Sequence, residues 1–249
     1  TALSGVMADL SAVQAFGTAK ILGNTALNLT ATDVITPAAQ ATLAGATTGK
    51  VTATITSEAG KSVGLFSGDV NNAKNLTNLV GTGHALTINV TDTDATAAEL
   101  IALDAVTTEK INIDNTTFAK IDGSNAADVI TVLNSSGFTS FATDLVVEIS
   151  SGTTSVSQAN IVDGKTTGKV TATLSEGTFA ALNSLTGTGN AYTITVSDST
   201  ALASDLNALN TKTDTVIDVD TVAEITGSIV DLTKFYTDAD KVVGGAGVD

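Results

Sequence analysis

The chain has 249 residues, 43% of them hydrophobic, enough to bury a core, but only 4% are aromatic and Trp is absent, so Val, Ile, Leu and Ala must carry the packing. With 11 basic against 26 acidic residues and no Arg, the net charge of −15 argues against nucleic acid and anionic lipid, which need clustered cations; cations, neutral glycans and other proteins remain as partners. Cys is absent, which excludes a disulfide scaffold and thiolate-bound metal, and no apolar run reaches the about 20 residues of a membrane-spanning helix, which excludes direct membrane insertion by that route.

Taken in chain order, the sequence alternates short Ala/Leu-rich segments with strands of period two. The segment after Pro37, the only proline, predicts a helix with Thr36 as its cap and leads into Val51 to Ile55, where aliphatics and Thr52 and Thr54 alternate. Leu76 and Leu79 precede a strand over Leu86 to Val90. Thr96 with Glu99 forms a capping-box pattern that opens a helix through Leu100 and Leu103, followed by Ile111 to Asp114. The same succession returns downstream: Ser157 to Val162 before Val170 to Leu174, Leu182 and Leu185 before Tyr192 to Val196, and Leu206 and Leu209 before Ile217 to Asp220.

The recurrence is a duplication. TTGKVTAT at Thr47 to Thr54 is repeated unchanged at Thr166 to Thr173, an offset of 166 − 47 = 119; Gly81-Thr82-Gly83 recurs at Gly187-Thr188-Gly189, an offset of 187 − 81 = 106. The first copy therefore holds 13 extra residues (119 − 106), placed within Ser57 to Asn75 as a surface loop. Strands joined by helical crossovers should be parallel and right-handed, so the expected fold is a β-rich α/β repeat, a right-handed parallel solenoid of short helix-turn-strand coils. Thr, Asn and Asp would form ladders on one exposed face. Thr1 to Asp33, Thr116 to Gly152 and Ile225 to Asp249 look less regular, although in the middle one Ala126 to Leu133 and Leu145 to Ile149 still look like a helix or strand followed by a strand. A boundary near Gly152 gives two sub-arrays, residues 1–152 with the 57–75 insertion, and residues 153–249.

The chain ends Val243-Gly244-Gly245-Ala246-Gly247-Val248-Asp249, which resembles the start of the G-G-x-G-x-D nonapeptide of RTX, or haemolysin-type, calcium-binding proteins. That resemblance implies Ca²⁺ held by the turn at Gly244, Gly245 and Gly247 and by the Asp249 carboxylate; the plain alternative is a flexible Gly-rich end. Ile121-Asp122-Gly123-Ser124 and Ile225-Thr226-Gly227-Ser228 look like phrases that flank such arrays. The Thr/Ala-rich repeats are similar to those of very large secreted bacterial surface proteins, cyanobacterial ones in particular. The resemblance implies calcium as cofactor, type I secretion, an extracellular or cell-surface location, and a surface-layer or adhesin-like role. The partners it implies are other copies or segments of the same surface protein, or a cell-surface glycan or protein. A chain that opens on Thr1 without Met and stops within the Gly-rich phrase reads as an excised fragment.

Other candidates are weighed against plainer roles. Asp92 and Asp94, with Asp198 in the second copy, follow strands and offer Ca²⁺ ligands, although Asp in turns commonly binds local backbone. Asp69, Asn71 and Asn72 in the inserted loop offer oxygens to a carbohydrate or other ligand. His84, the only histidine, is matched by Asn190 in the other copy, which favours a polar turn residue over a catalyst. The GTG phrases complete no phosphate-loop motif and read as turns. Rows of Thr resemble ice-binding faces but are interrupted by Asn112, Asp114, Asp218 and Asp220. No unique cluster of acids, bases and sugar-stacking aromatics suggests a hydrolase. The expected role is a non-enzymatic structural or adhesive segment; a ligand-binding module using residues 57–75 is the alternative.

Overall fold

The computed structural model describes residues 2–15, 26–55, 81–90, 92–238 and 241–244, and across them the chain is an α/β protein whose strands pair in parallel. Backbone contacts gather into two compact lobes: Thr1–Ala119 with Asn134–Ala142, and Lys120–Leu133 with Thr143–Asp249. The lobes partition contacts, whereas the 1–152 and 153–249 division partitions repeated phrases. Gly152, at φ 72°, lies in a turn inside the second lobe.

In the first lobe, β1 (Ala2–Gly5) leads into α1 (Met7–Ala15), β2 (Asn28–Ile35) into α2 (Pro37–Ala46), and β3 (Val51–Ile55) comes next. With β4 (Ala85–Thr87) these strands form a sheet in sequence order, β1-β2-β3-β4. Leu3 pairs with Leu29 and Leu29 with Val51, so aliphatics from successive strands stack in one inward row. β3 alternates buried Val51, Ala53 and Ile55 with half-buried Thr52 and Thr54, as its period of two requires. α2 starts where expected, with Pro37 in its first turn and the Thr36 side chain accepting the Ala39 N–H. Further on, β5 (Asn89–Val90) pairs with β7 (Asn112–Ile113), and β6 (Asp94–Thr96) opens α3 (Ala97–Val106). Both bonds of the Thr96/Glu99 capping box are present. The expected 57–75 loop, and the turn with Leu76 and Leu79, fall outside the described residues.

The second lobe repeats this plan. It contains β8 (Lys120–Gly123), most of α4 (Ala126–Asn134), β9 (Val146–Ile149), α5 (Val156–Asp163), β10 (Val170–Thr173), α6 (Phe179–Leu182) and β11 (Ala191–Thr195). Then come β12 (Thr200–Leu202), α7 (Ala203–Asn210), β13 (Ile217–Asp218), β14 (Glu224–Thr226), α8 (Ile229–Asp238) and β15 (Val242–Val243). Its strands pair in the order β8-β9-β10-β11-β13-β15, all parallel, and β12 pairs with β14. The stretch expected to be irregular, 116–152, holds β8, α4 and β9. Its first strand was hidden because Asp122 stands level with Thr171, the first Thr of T-x-T in β10.

Four helices each contribute an i, i+3 apolar pair to the core: Leu100 and Leu103, Val129 and Val132, Ala159 and Val162, Leu206 and Leu209, all buried. At about 1.5–3 kcal/mol per buried aliphatic side chain, these pairs hold helices too short to persist alone.

Candidate functional site

The buried polar groups show what the repeated residues do. Thr47, Thr107, Thr166 and Thr213 each follow a helix, and each hydroxyl donates to a carbonyl one repeat back: Leu27, Leu86, Leu145 and Tyr192 respectively. The step is 20 residues in the first case and 21 in the other three. The same oxygen accepts the N–H two residues ahead, from Gly49, Glu109, Gly168 and Thr215. One hydroxyl thus closes a local turn and ties it to the neighbouring repeat. Thr213 is 1% exposed, so both bonds form away from water. Ser135 is a variant: it accepts from Gly137 N–H but donates to Asp104 Oδ2 at 2.8 Å.

His84 sits in the first lobe between β3 and α3. Its Nδ1 accepts the Val51 N–H at 3.1 Å, its own N–H donates to Val106, and its carbonyl accepts the Thr108 N–H. Asn190 occupies the corresponding place in the second lobe, with Oδ1 accepting the Val170 N–H at 2.9 Å. Both residues are buried and make parallel bridges, to Thr107 and Thr213. The preceding GTG phrases are turns, with Gly81, Gly83 and Gly189 at positive φ.

Asp198 receives the Phe179 N–H on Oδ2 at 2.7 Å. Phe179 opens α6, whose own N-cap residue Thr178 supplies no side-chain bond, so the carboxylate caps the helix from the next repeat. Glu176 does the same for Val156 at the start of α5, and Asp33 for Met7 at the start of α1. Asp92, the counterpart of Asp198, is 2% exposed. Asp94 accepts the Thr93 hydroxyl at its strand start. Asp92 and Asp94 are in the first lobe and Asp198 in the second.

Gly244, the first glycine of the RTX-like phrase, has φ 80°, and a Cβ there would fall 1.8 Å from Asp220 Oδ1. Gly245, Gly247 and Asp249, and the proposed ligand loop with Asp69, Asn71 and Asn72, lie outside the described residues. Among the described residues, no group of three or more His, Asp or Glu is placed to hold a metal, and no helix is long and apolar enough to cross a membrane.

A cavity of about 370 Å³ opens in the first lobe beside Thr47, Lys50, Gly81, Thr82 and His84. Among the described residues its lining has one ring, the His84 imidazole, and one charged side chain, Lys50. It is lined by backbone and by the side chains of Thr47, Thr48, Lys50, Thr82 and His84.

Charge is arranged as local ties. Lys169 pairs with Asp214 at 2.9 Å, and its hydrogen bond and charge hold the Asp214 carboxyl below the usual carboxylate range. Thr116 does the same for Asp114 by hydrogen bonding, and Asp122 raises Lys120. Tyr192 is fully buried; burial, and then the Asp163 charge, raise its hydroxyl well above the ordinary tyrosine range. The duplication paired His84 with Asn190 and Asp92 with Asp198 in the sequence but not Thr107 with Thr213, although these too are 106 residues apart (213 − 107).

No protein-family model, curated protein or solved structure matches this chain.

Proposed function

We propose that the chain is a non-enzymatic structural or adhesive segment of a large extracellular bacterial surface protein, with each lobe built as a right-handed parallel solenoid of stacked coils. The carrying observation is where the buried polar side chains go. His84, Asn190, Thr107, Thr166 and Thr213 all bind the backbone of an adjacent repeat. These bonds join one coil to the next, and outward strand positions such as Thr173, Thr193 and Thr195 form the displayed surface.

Location is the property to test. Antibody against this segment should label intact, unpermeabilised cells that make the protein, and protease added outside should remove the label. Label confined to permeabilised cells would overturn the proposal.

A carbohydrate- or ligand-binding module is the second reading, favoured by the cavity at Gly81, which follows residues 57–75 in the chain. It requires that deleting 57–75 abolish retention on a glycan array while leaving the fold intact.

A further inference from the structure

The duplication lets each copy serve as a template for the other. Three residues before a threonine tie stand Asp104, Asp163 and Asn210, and each of these side chains crosses to the next repeat. Asp104 accepts the Ser135 hydroxyl at 2.8 Å, Asp163 accepts the Asn190 amide at 2.7 Å, and Asn210 donates to the Asp238 carbonyl at 3.1 Å. The fourth tie, Thr47, has Ala44 at the same spacing, which has no polar atom to send across. The cavity of about 370 Å³ lies there, with Ala44 in its wall.

Ala44 is equivalent to Asp163, 163 − 44 = 119 residues on, as Thr47 is to Thr166. In the second lobe the Asp163 carboxylate lies against the GTG turn, where a Cβ on Gly187 would fall 2.2 Å from Oδ1, and Asp214 pairs with Lys169 at 2.9 Å. In the first lobe Lys50 stands for Lys169 (169 − 50 = 119) and Thr108 for Asp214 (214 − 108 = 106). The backbone agrees: the Thr108 N–H donates to the His84 carbonyl as the Asp214 N–H donates to that of Asn190. The lysine is kept while both carboxylates are replaced, and among the described residues Lys50 pairs with no carboxylate. The His84 ring reaches over Gly81, where a Cβ would fall 2.5 Å from Nε2, and the cavity stays open beside it.

We infer that this cavity binds a small molecule through one carboxylate, seated against the first lobe's GTG turn as Asp163 is seated in the second, with Lys50 as its counter-ion. The inference rests on the ligand-binding reading of the cavity and names the class of ligand: a monocarboxylate of single-sugar size, such as a uronic acid. Charge sets the number of carboxylates. One lysine balances one of them, and a net charge of −15 disfavours a phosphate dianion or a longer polyanion. Size sets the body, since about 370 Å³ is near the lower end of the range for small-molecule pockets, about 300–1,000 Å³. The Thr82 hydroxyl in the lining suits a sugar hydroxyl.

Amide chemical shifts of the whole chain, titrated with sodium glucuronate at constant ionic strength, read this directly. Saturable shifts are expected at Gly49, Gly81 and Gly83, and glucose should give none at the same concentrations. Binding of methyl glucuronide as well would identify the end of a glycan chain as the source; binding of the free acid alone would identify the monomer. Ala44→Asp, which supplies the second lobe's own carboxylate, and Lys50→Gln should each raise the glucuronate Kd at least about tenfold while second-lobe amides keep their positions. The reverse change, Asp163→Ala, should lower the melting temperature, and acetate should raise it more in that variant than in the parent. No saturable response to glucuronate, an equal response to glucose, binding that survives both first-lobe substitutions, or an acetate effect no greater in Asp163→Ala would each overturn the inference. Retention on a glycan array that needs residues 57–75 but ignores Ala44→Asp would overturn it too, while leaving the ligand-binding reading in place.

Discussion

His84 and Asn190 occupy the same place in the two copies of the repeat and accept the same backbone bond, His84 Nδ1 from Val51 N–H at 3.1 Å and Asn190 Oδ1 from Val170 N–H at 2.9 Å. An imidazole Nδ1 and an amide Oδ1 stand equally far along their side chains, so either satisfies a buried amide from this position. His84→Asn should therefore keep most of the stability, whereas His84→Ala strands the Val51 N–H and should cost about 1–3 kcal/mol. Urea denaturation of both variants checks this. Equal losses would show that the Val51 bond is not what the residue supplies.

The threonine ties predict a chemically selective effect. Thr213→Val keeps the shape of the side chain but removes its donor and acceptor, leaving the Tyr192 carbonyl and Thr215 N–H without that partner. The expected loss is about 1–3 kcal/mol, with Thr213→Ser recovering most of it. The recovery distinguishes a hydroxyl tie from packing, because Ser lacks the methyl group and Val retains a branched β-carbon. Thermal melts of the two variants read the difference. A Ser variant as unstable as Val would mean that packing of the methyl group outweighs the hydroxyl bonds.

Tyr192 should respond in the opposite direction. Its position is Leu86 in the first copy, its side chain is fully buried, and its hydroxyl oxygen has no hydrogen-bond partner among the described residues. Burying an unmet hydroxyl is costly, so Tyr192→Phe should leave stability unchanged or raise it by about 1 kcal/mol. A clear drop in melting temperature would reveal a partner for the hydroxyl that the fold does not show.

Much of this architecture was legible in the sequence. The period-two strands, the Thr96/Glu99 box, the cap at Thr36 and the turns at Gly81 and Gly189 all follow from local rules, and the fold contains them. Within 116–152 the segments Ala126 to Leu133 and Leu145 to Ile149 were legible as an element followed by a strand, but β8 was not, because Asp122 and Glu148 stand level with Thr171 of β10. The ties were not legible either. A threonine before Gly168 looks like any turn residue until its hydroxyl is seen to reach Leu145, 21 residues back. Register, which only the folded chain fixes, converts a repeated phrase into a contact.

Acid should loosen one surface tie through Asp214. Lys169 holds this carboxyl below its ordinary value of 3.8. A depressed folded pKa means stabilisation that is present above the unfolded value and is lost as pH falls through the folded one. Melting temperature should therefore fall below pH 3.8, and Asp214→Asn should lessen that fall while leaving the neutral-pH melting temperature nearly unchanged, since the pair is solvent-exposed. An identical acid limb in the variant would remove Asp214 from the account.

Asp198 separates a helix cap from a calcium ligand. Its carboxylate receives the Phe179 N–H at 2.7 Å, and Thr178 makes no competing side-chain cap. As a cap, Asp198→Ala should cost about 0.5–2 kcal/mol, and Asp198→Asn, which keeps an acceptor oxygen, should recover most of the loss. Added calcium and added chelator should then shift wild type and both variants alike. A ligand role predicts another pattern: calcium would stabilise wild type in proportion to its concentration, because binding to the folded state alone must raise stability. Asn, lacking the charge, would lose that increment along with Ala. Melting the three proteins in calcium and in chelator tells the two apart, because a cap depends on the acceptor oxygen and a cation site on the charge.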